Sequence, residues 1–337
     1  MRWLFSAEEE MRLKIQWLLH NIAVMMKSNQ ILSALGLLLI VVVAFSFKSD
    51  NLPTVDETRR IVTALAGDEM LGRDASNAGY DRSSAFIESE LKKSKIKPFY
   101  ETYKDTFSVG EIKTHNVVGI IPASKKTDEY ILIGAHLDHI GTKGGEQDTI
   151  FNGANDNASG VTAAVQIAQF LKQHKLKKNV IVALFGAEEK GLLGSKHLAA
   201  RMKADDLNLS YVINFEMIGK TLSTGKGRVY DTGYDKSNFK TVINDIVGRE
   251  FIEFLPEAAS YSLFRRSDNY PFYTEFNIPA HTLSTFDFKN YLYYHRLRDE
   301  VSQLDIDNMN VVIRTSAEAI LKLVNSDIKL ELTESEE

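Results

Sequence analysis

The apolar residues of this chain fall into continuous runs and into stretches with the spacing of a helix face. Residues 130–135 (YILIGA) and 179–187 (NVIVALFGA) are continuous runs, which are typical of strands covered on both faces of a sheet. Residues 55–65, 79–93 and 159–174 carry apolar side chains three and four positions apart, which predicts helices. Strands that alternate with helices indicate an α/β fold.

Two further apolar segments predict strands, at residues 114–121 (THNVVGII) and 211–215 (YVINF). Together with the intervening helices, they predict a central mixed sheet that is mostly parallel, with helices on both faces. Residues 51–330 contain no internal repeat and no low-complexity linker, so we expect them to form one domain.

The longest uncharged run covers residues 31–47 (ILSALGLLLIVVVAFSF). It lacks the polar stripe of a core helix, and its length fits either a transmembrane helix or the core of a signal peptide. The basic residues before it are Arg2, Arg12, Lys14 and Lys27. Residues 1–30 are therefore expected to be cytoplasmic, or to be a mis-assigned leader with the true start at Met26. Either way, residues 51–330 are expected outside the cytoplasm, membrane-anchored or secreted (periplasmic if the cell is Gram-negative).

The composition restricts the chemistry. The chain has no cysteine, which excludes disulfides, thiolate metal ligands and a cysteine nucleophile. Its formal net charge of −5 gives no electrostatic reason to expect a nucleic-acid partner. Any bound metal must be held by His, Asp and Glu, and that ligand set suits catalytic zinc. The sequence does not indicate an oligomeric state.

Histidine and carboxylate side chains follow the predicted strands at the points where the strands end. His136 comes directly after one strand, Glu188 and Glu189 after the next, and Glu216 after the last, while Asp156 precedes a predicted helix. Because ligands of α/β sheets bind at the carboxyl ends of the strands, we expect these side chains to meet. Two divalent ions held there would activate a water and polarise a carbonyl group.

Six motifs, in this order and spacing, resemble the co-catalytic zinc exopeptidase family, which includes bacterial leucyl-type aminopeptidases, glutamate carboxypeptidases and glutaminyl cyclases. They are GAHLDHIG (134–141), GANDNASG (153–160), FGAEEKGLLGS (185–195), NFEMIG (214–219), RSDNYPF (266–272) and YHRLRDE (294–300). The similarity runs from about residue 116 to residue 299. It implies a sheet of the zinc-exopeptidase type, two Zn²⁺ ions per chain and a peptide substrate.

The resemblance also implies a role for each matched side chain. The implied metal ligands are His136 and Glu216 for one ion, Glu189 and His295 for the second, and Asp156 as the bridge. Glu188 is the implied general base, and Asp138 is the carboxylate that supports His136. Tyr294 is implied to donate a hydrogen bond to the oxyanion, and Asp299 to be a supporting carboxylate.

Two positions depart from the family pattern. Glu216 stands where most members have Asp, and the extra methylene could change the geometry of the site or its metal preference. Arg296 and Leu297 replace the usual Thr and Pro, which leaves the details of the loop around His295 open.

Some residues near the motifs are expected to be structural. We expect His139 to support the ligands or the fold rather than to bind metal. Arg265 and Arg266 are expected to be a solvated or salt-bridged pair, with recognition of a substrate carboxylate by one of them as the alternative. Ser267 and Asp268 are expected to shape a pocket wall.

Three functions remain for these residues. The first is an aminopeptidase that uses a water activated by two zinc ions and a glutamate base. The second is a one-zinc glutaminyl cyclase, which the Asn after the bridging Asp disfavours, since cyclases tend to lose it. The third is a catalytically inactive binding domain, which would need a lost ligand or base, yet every matched position holds a competent side chain.

Overall fold

The computed structural model describes residues 14–21, 52–145 and 148–333. Residues 14–21 are helical, and Leu52–Glu337 forms a compact unit of its own. The predicted membrane-spanning or signal segment at residues 31–47 lies outside the described residues. The helices of the described residues all lack the combination of length and hydrophobicity that a transmembrane span needs.

The three predicted helices form close to their predicted bounds, as α1 (Val55–Leu65), α2 (Ala78–Lys93) and α3 (Gly160–Leu171). The third begins one residue later than predicted because Ala154–Ser159 forms a separate π-type turn that carries Asp156. Five further helices follow along the chain: α4 (Leu193–Ala204), α5 (Phe239–Val247), α6 (Pro256–Ser260), α7 (Asn269–Phe276) and α8 (Ile306–Val324).

Nine strands of the described region form one mixed sheet. They are β1 (Lys97–Pro98), β2 (Lys104–Val109), β3 (Ile112–Ile121), β4 (Glu129–His136), β5 (Asn179–Phe185), β6 (Asn208–Glu216), β7 (Val229–Asp231), β8 (Ile252–Glu253) and β9 (Ala280–Ser284). Their order is β1-β3-β5-β4-β6-β9-β7-β8, with β2 also paired to β3. The central strands β5, β4, β6 and β9 are parallel; β3 and β7 join them antiparallel at either side, and β8 pairs parallel with β7. The predicted mixed, mostly parallel sheet is confirmed.

The sheet is covered on both faces, and β4 shows how. Ile131 and Ile133 point into a core shared with α1, α2, α3, α5 and α8. Leu132, which faces the other way, belongs to a second core with α4 and α7. Alternate residues of a strand point to opposite faces, so an uninterrupted apolar run requires two cores, and the predicted helices on both faces are confirmed.

The end of β5 shapes the functional edge of the sheet. The strand stops at Phe185, two residues before the apolar run ends. Ala187 adopts a left-handed conformation, with φ of +58°, and the amide of Gly186 donates to Asn116 Oδ1 at 3.0 Å. The chain therefore turns before Glu188, which brings this segment back over the carboxyl end of β4.

Candidate active site and metal centre

The side chains predicted from the strand ends do meet at one edge of the sheet. His136 is the last residue of β4 and Glu216 is the last residue of β6. Glu188 and Glu189 follow the turn after β5, and Asp156 lies in the π-type turn before α3. The parallel register of β4 with both of its neighbours places these ends beside one another.

His136, Asp156 and Glu216 form a first set of possible metal ligands, here called the His136 group, whose ligand atoms lie within 4.8 Å of one another. His136 Nε2 is 3.1 Å from Glu216 Oε1 and 3.4 Å from Asp156 Oδ1. The longer side chain of Glu216, in place of the usual Asp, still reaches the imidazole. The members of this group are those predicted for the first ion.

His139, Asp156, Glu189 and His295 form a second set, here called the His295 group, with ligand atoms again within 4.8 Å of one another. His295 Nε2 is 3.1 Å from Glu189 Oε2 and 3.2 Å from Asp156 Oδ2. His139 Nδ1 is 3.0 Å from Glu189 Oε1. The three predicted ligands of the second ion are therefore together, and a fourth residue joins them.

The loop that carries His295 tolerates its departures from the family pattern. His295 has a left-handed backbone, with φ of +53°, and the amide of Arg296 donates to the carbonyl of Tyr293 at 2.9 Å. Arg296 is exposed and Leu297 is half-buried. The imidazole still faces Glu189, so these two replacements leave the ligand position intact.

The chemistry of both groups fits divalent cations, and zinc in particular. Imidazole nitrogen and carboxylate oxygen are donors that zinc accepts. Asp156 Oδ2 is buried and has no hydrogen-bond partner among the described residues. A buried carboxylate oxygen without a donor is costly, and a cation at this point would compensate for it.

The histidines and carboxylates of the two groups shift one another's pKa values. Burial lowers the pKa of His295, but the negative charges of Asp156 and Glu189, at 3.2 and 3.1 Å from its Nε2, outweigh burial and raise the pKa to about 10. Burial raises the pKa of Asp156, but the neighbouring His139, His136 and His295 lower it below its usual range. Metal ions must therefore displace protons from the imidazoles when they bind.

Asp299, predicted as a supporting carboxylate, holds the loop that carries Asp156. Its Oδ1 accepts from the amide of Asn155 at 2.7 Å, and its Oδ2 accepts from the amide of Asp156 at 3.0 Å. Tyr291 also donates its hydroxyl to Asp299 Oδ1. Asp299 thus supports Asp156, the residue that belongs to both groups, rather than the nearby His295.

Arg73 is a fully buried residue that the sequence analysis did not single out. Its guanidinium donates to the carbonyls of Leu137 at 3.0 Å and Gly153 at 2.9 Å, one in each ligand-bearing loop. Burial lowers its pKa to about 10, against the attraction of nearby carboxylates such as Asp299, so it stays charged at neutral pH. No motif or spacing marks Arg73, because its importance lies in contacts with residues distant in the chain.

Asp138 supports the site differently from the prediction. Its carboxylate accepts from the amides of Glu188, at 3.0 Å, and Glu189, at 3.3 Å. His136 Nδ1 is 3.0 Å from the main-chain oxygen of Asp138 but 3.8 Å from the carboxylate. The Asp138 carboxylate thus fixes the turn after β5, and the main-chain carbonyl of Asp138 orients the His136 imidazole.

Glu188 lies beside both groups and belongs to neither. Burial raises the pKa of its carboxyl group well above its usual value, and the negative charges of Asp268 and Glu216 raise it further against the influence of His136. Asp268 is itself fully buried, and burial raises its pKa to about 7. Such an environment favours a group that holds a proton for part of a reaction.

A cavity of about 400 Å³ is lined by Glu188 and by four members of the two groups, His136, Asp156, Glu189 and Glu216. The rest of the lining is largely apolar or aromatic and includes Met217, Tyr261, Leu263, Phe286, Phe288 and Tyr294. Arg266 and Ser267 also line it. Ser267 therefore lies at a pocket wall, as expected. Of the two neighbouring arginines, Arg266 is the one placed to recognise a substrate carboxylate. The Tyr294 ring stacks on His295, with 4.0 Å between ring centroids.

Curated relatives resemble only part of this chain. A probable zinc metalloprotease of Pyrenophora tritici-repentis is 32% identical over 105 residues, which cover 31% of this chain and 24% of that protein. Aminopeptidase YwaD of Bacillus subtilis is 30% identical over 128 residues, which cover 37% of this chain and 26% of that protein. The chain thus spans about a quarter of the length of these relatives.

Solved structures share the fold over most of the chain. The zinc aminopeptidase BSAP of Bacillus subtilis superposes with a TM-score of 0.64 at 14% identity, covering 83% of this chain and 98% of that chain. The glutaminyl cyclase of Porphyromonas gingivalis superposes with a TM-score of 0.62 at 16% identity, covering 81% of this chain and 99% of that chain. The family model of peptidase family M28 matches residues 116–320, which include every predicted ligand. This chain belongs to peptidase family M28.

Proposed function

We propose that this chain is a zinc-dependent aminopeptidase that holds two Zn²⁺ ions and removes the N-terminal residue of a peptide. The observation that carries the proposal is the position of Asp156. Its Oδ1 faces His136 and its Oδ2 faces His295, so one carboxylate belongs to both groups. A shared ligand is what brings two ions close enough to act on one substrate, where they supply Lewis acidity and lower the pKa of a water molecule.

Proton transfer is the proposed role of Glu188. Its carboxylate lines the cavity without belonging to either ligand group, so it is free to accept a proton from the attacking water. It then donates that proton to the amine that leaves when the peptide bond breaks, which restores the carboxylate. The Asp138 carboxylate accepts a hydrogen bond from the amide of Glu188 and so helps to orient the Glu188 side chain.

Tyr294 is the proposed donor to the developing negative charge. Its ring lies against His295 at the wall of the cavity. From there the phenol hydroxyl can donate to the oxygen of the scissile carbonyl, whose charge grows in the transition state. Carboxylates around the cavity can receive the α-amine of the peptide, which is what restricts such an enzyme to N-termini.

A one-zinc glutaminyl cyclase is the alternative on the same fold. It would use one ligand group and leave the other without an ion. Both groups are complete here, with three and four possible ligands, and this favours the aminopeptidase.

An assay of the full-length chain on aminoacyl fluorogenic substrates and on an N-terminal glutamine peptide tests the proposal. We expect hydrolysis of at least one aminoacyl substrate, loss of activity with a chelator and recovery when zinc is restored. Cyclisation of the glutamine peptide with about one zinc per chain would support the cyclase instead. A zinc-loaded chain inactive on the whole panel would favour the binding domain.

We also propose that the catalytic domain acts outside the cytoplasm. The support is the uncharged run at residues 31–47, together with the basic residues before it. A reporter enzyme that is active only after export should be active when it is fused after Asp50. A reporter that is active only in the cytoplasm should be inactive when it is fused at the same point. The opposite pattern would overturn this assignment. If the run is not cleaved, it would also anchor the enzyme to the membrane.

A further inference from the structure

His139 is buried in the loop directly after β4, and the polar contacts of its side chain within the described region lie on the side of the His295 group. Its Nδ1 is 3.0 Å from Glu189 Oε1 and 3.7 Å from Asp156 Oδ2. Its ring meets the ring of His295 edge-on, with 5.5 Å between centroids. On the other side of the ring, Nε2 is buried and has no hydrogen-bond partner among the described residues. Within the described region, Nδ1 is therefore the ring nitrogen of His139 that has polar contacts, and it faces the His295 group.

The distances within the His295 group match those between ligands of one ion. Zinc bonds to imidazole nitrogen and carboxylate oxygen are about 2.0–2.2 Å long, so two ligand atoms of a tetrahedral ion lie about 3.3–3.6 Å apart. The pairs that involve His139 are 3.0 and 3.7 Å apart, and those that involve His295 are 3.1 and 3.2 Å apart. His139 Nδ1 occupies the position of a ligand as well as His295 Nε2 does.

The backbone is shaped to hold this ring beside the shared ligand. Gly153 has φ of +57°, and a Cβ added there would lie 2.2 Å from the main-chain oxygen of Asp156 and 2.6 Å from His139 Cδ2. Only a glycine leaves room for the ring at this point. The amide of His139 donates to the carbonyl of Arg73 at 3.2 Å, and the Arg73 side chain binds the carbonyl of Gly153. The imidazole and the loop that carries Asp156 are thus fixed relative to each other.

A simpler role for His139 would be to donate one hydrogen bond to Glu189. That role does not explain why Asp156 Oδ2 is buried, lies between two imidazoles and has no hydrogen-bond partner. An ion bound by all four members of the group explains these three features, because it satisfies Asp156 and Glu189 together.

We propose that His139 is a protein ligand of the second zinc ion, which gives that ion four protein ligands while the His136 group provides three. The inference rests on the proposed two-zinc centre and adds to it an asymmetry between the ions. Zinc with four protein ligands is typical of structural sites, whereas catalytic sites have three and keep a position open. The ion of the His295 group is then the tightly held one, and the ion of the His136 group offers the open position.

Cadmium-113 NMR of the full-length chain with nitrogen-15 histidine tests the ligand directly. A histidine nitrogen bound to cadmium is split by one-bond coupling, whereas a nitrogen that only donates a hydrogen bond is not. We expect three coupled histidines, and we expect one of these couplings to disappear in His139→Asn. Two coupled histidines that are unchanged in His139→Asn would overturn the inference. If no histidine is coupled, the proposed metal centre itself is wrong.

Graded removal of zinc by a chelator supplies an independent measurement. In the wild type, one ion should remain at chelator concentrations that remove the other. His139→Ala and His139→Asn should both weaken the tighter site by at least about 100-fold, the upper end of what residues outside the ligand set cause. The Asn amide can still bond to Glu189, so a hydrogen-bonding role predicts an affinity within a few-fold of the wild type.

His115→Gln is the matched control for the loss of a buried histidine. His115 is buried outside both groups, with Nε2 2.6 Å from Ser84 Oγ. This variant is expected to lose stability but to retain both ions with wild-type affinities. If it lost zinc to the same extent as His139→Ala, the metal loss would reflect general destabilisation, and the chelation result would count against the inference.

Discussion

Replacing Glu188 with glutamine is expected to lower kcat by roughly 10²–10⁴-fold, the usual contribution of a general acid–base group. Glutamine has nearly the same shape but cannot accept the proton of the attacking water. KM should change little, because the groups that bind the peptide carbonyl and amine remain. Zinc content should stay near two per chain, since Glu188 belongs to neither ligand group.

The neighbouring residue supplies the matched control. Glu189→Gln makes the same chemical change one position away, at a carboxylate that lies 3.0–3.1 Å from the imidazoles of His139 and His295. It should lower zinc occupancy as well as kcat. If Glu188→Gln kept wild-type kcat while folded and metal-loaded, the proposed mechanism would be wrong at its central step.

Asp156→Asn is expected to weaken both metal sites at once and to reduce hydrolysis to the background rate. The amide is neutral and offers one oxygen, so it cannot face His136 and His295 with two charged oxygens as the carboxylate does. The loss of zinc affinity should exceed about 100-fold at each site, more than residues outside the ligand set cause. Zinc content after dialysis and thermal unfolding with and without zinc measure the effect.

Asp105→Asn is the control for this variant. Asp105 is fully buried and binds Arg201, His197 and Asn116, away from both ligand groups. Its replacement should lower the melting temperature without changing zinc content. Retention of one tightly bound ion in Asp156→Asn would show that the two sites are independent and would contradict the shared carboxylate.

The central part of the fold could be predicted because its strands are buried on both faces. The runs at β4 and β5 contain hardly any polar residue, and such runs are stable only in a sheet that helices cover on both faces. Strand β2 (KDTFSV) and strand β9 (AHTLS) were not predicted, since polar side chains interrupt them. In β9, His281 and Thr282 are buried all the same, because Asp231 and Asn269 accept their hydrogen bonds.

The sequence by itself determined which residues could bind metal and at which edge of the sheet they lie. His136 and Glu216 end parallel strands, and the order of the motifs narrowed the choice among many carboxylates to a few. These conclusions need only the local pattern, because parallel strands present their carboxyl ends at the same edge.

Only the tertiary structure decided how these side chains divide into groups and which others join them. Whether His139 faces solvent, the core or Glu189 depends on a contact across 50 positions of the chain. The same is true of Arg73, which joins two loops that are distant in sequence. Metal coordination and buried hydrogen bonding depend on distances of about 3 Å between such residues, and neither composition nor spacing along the chain contains those distances.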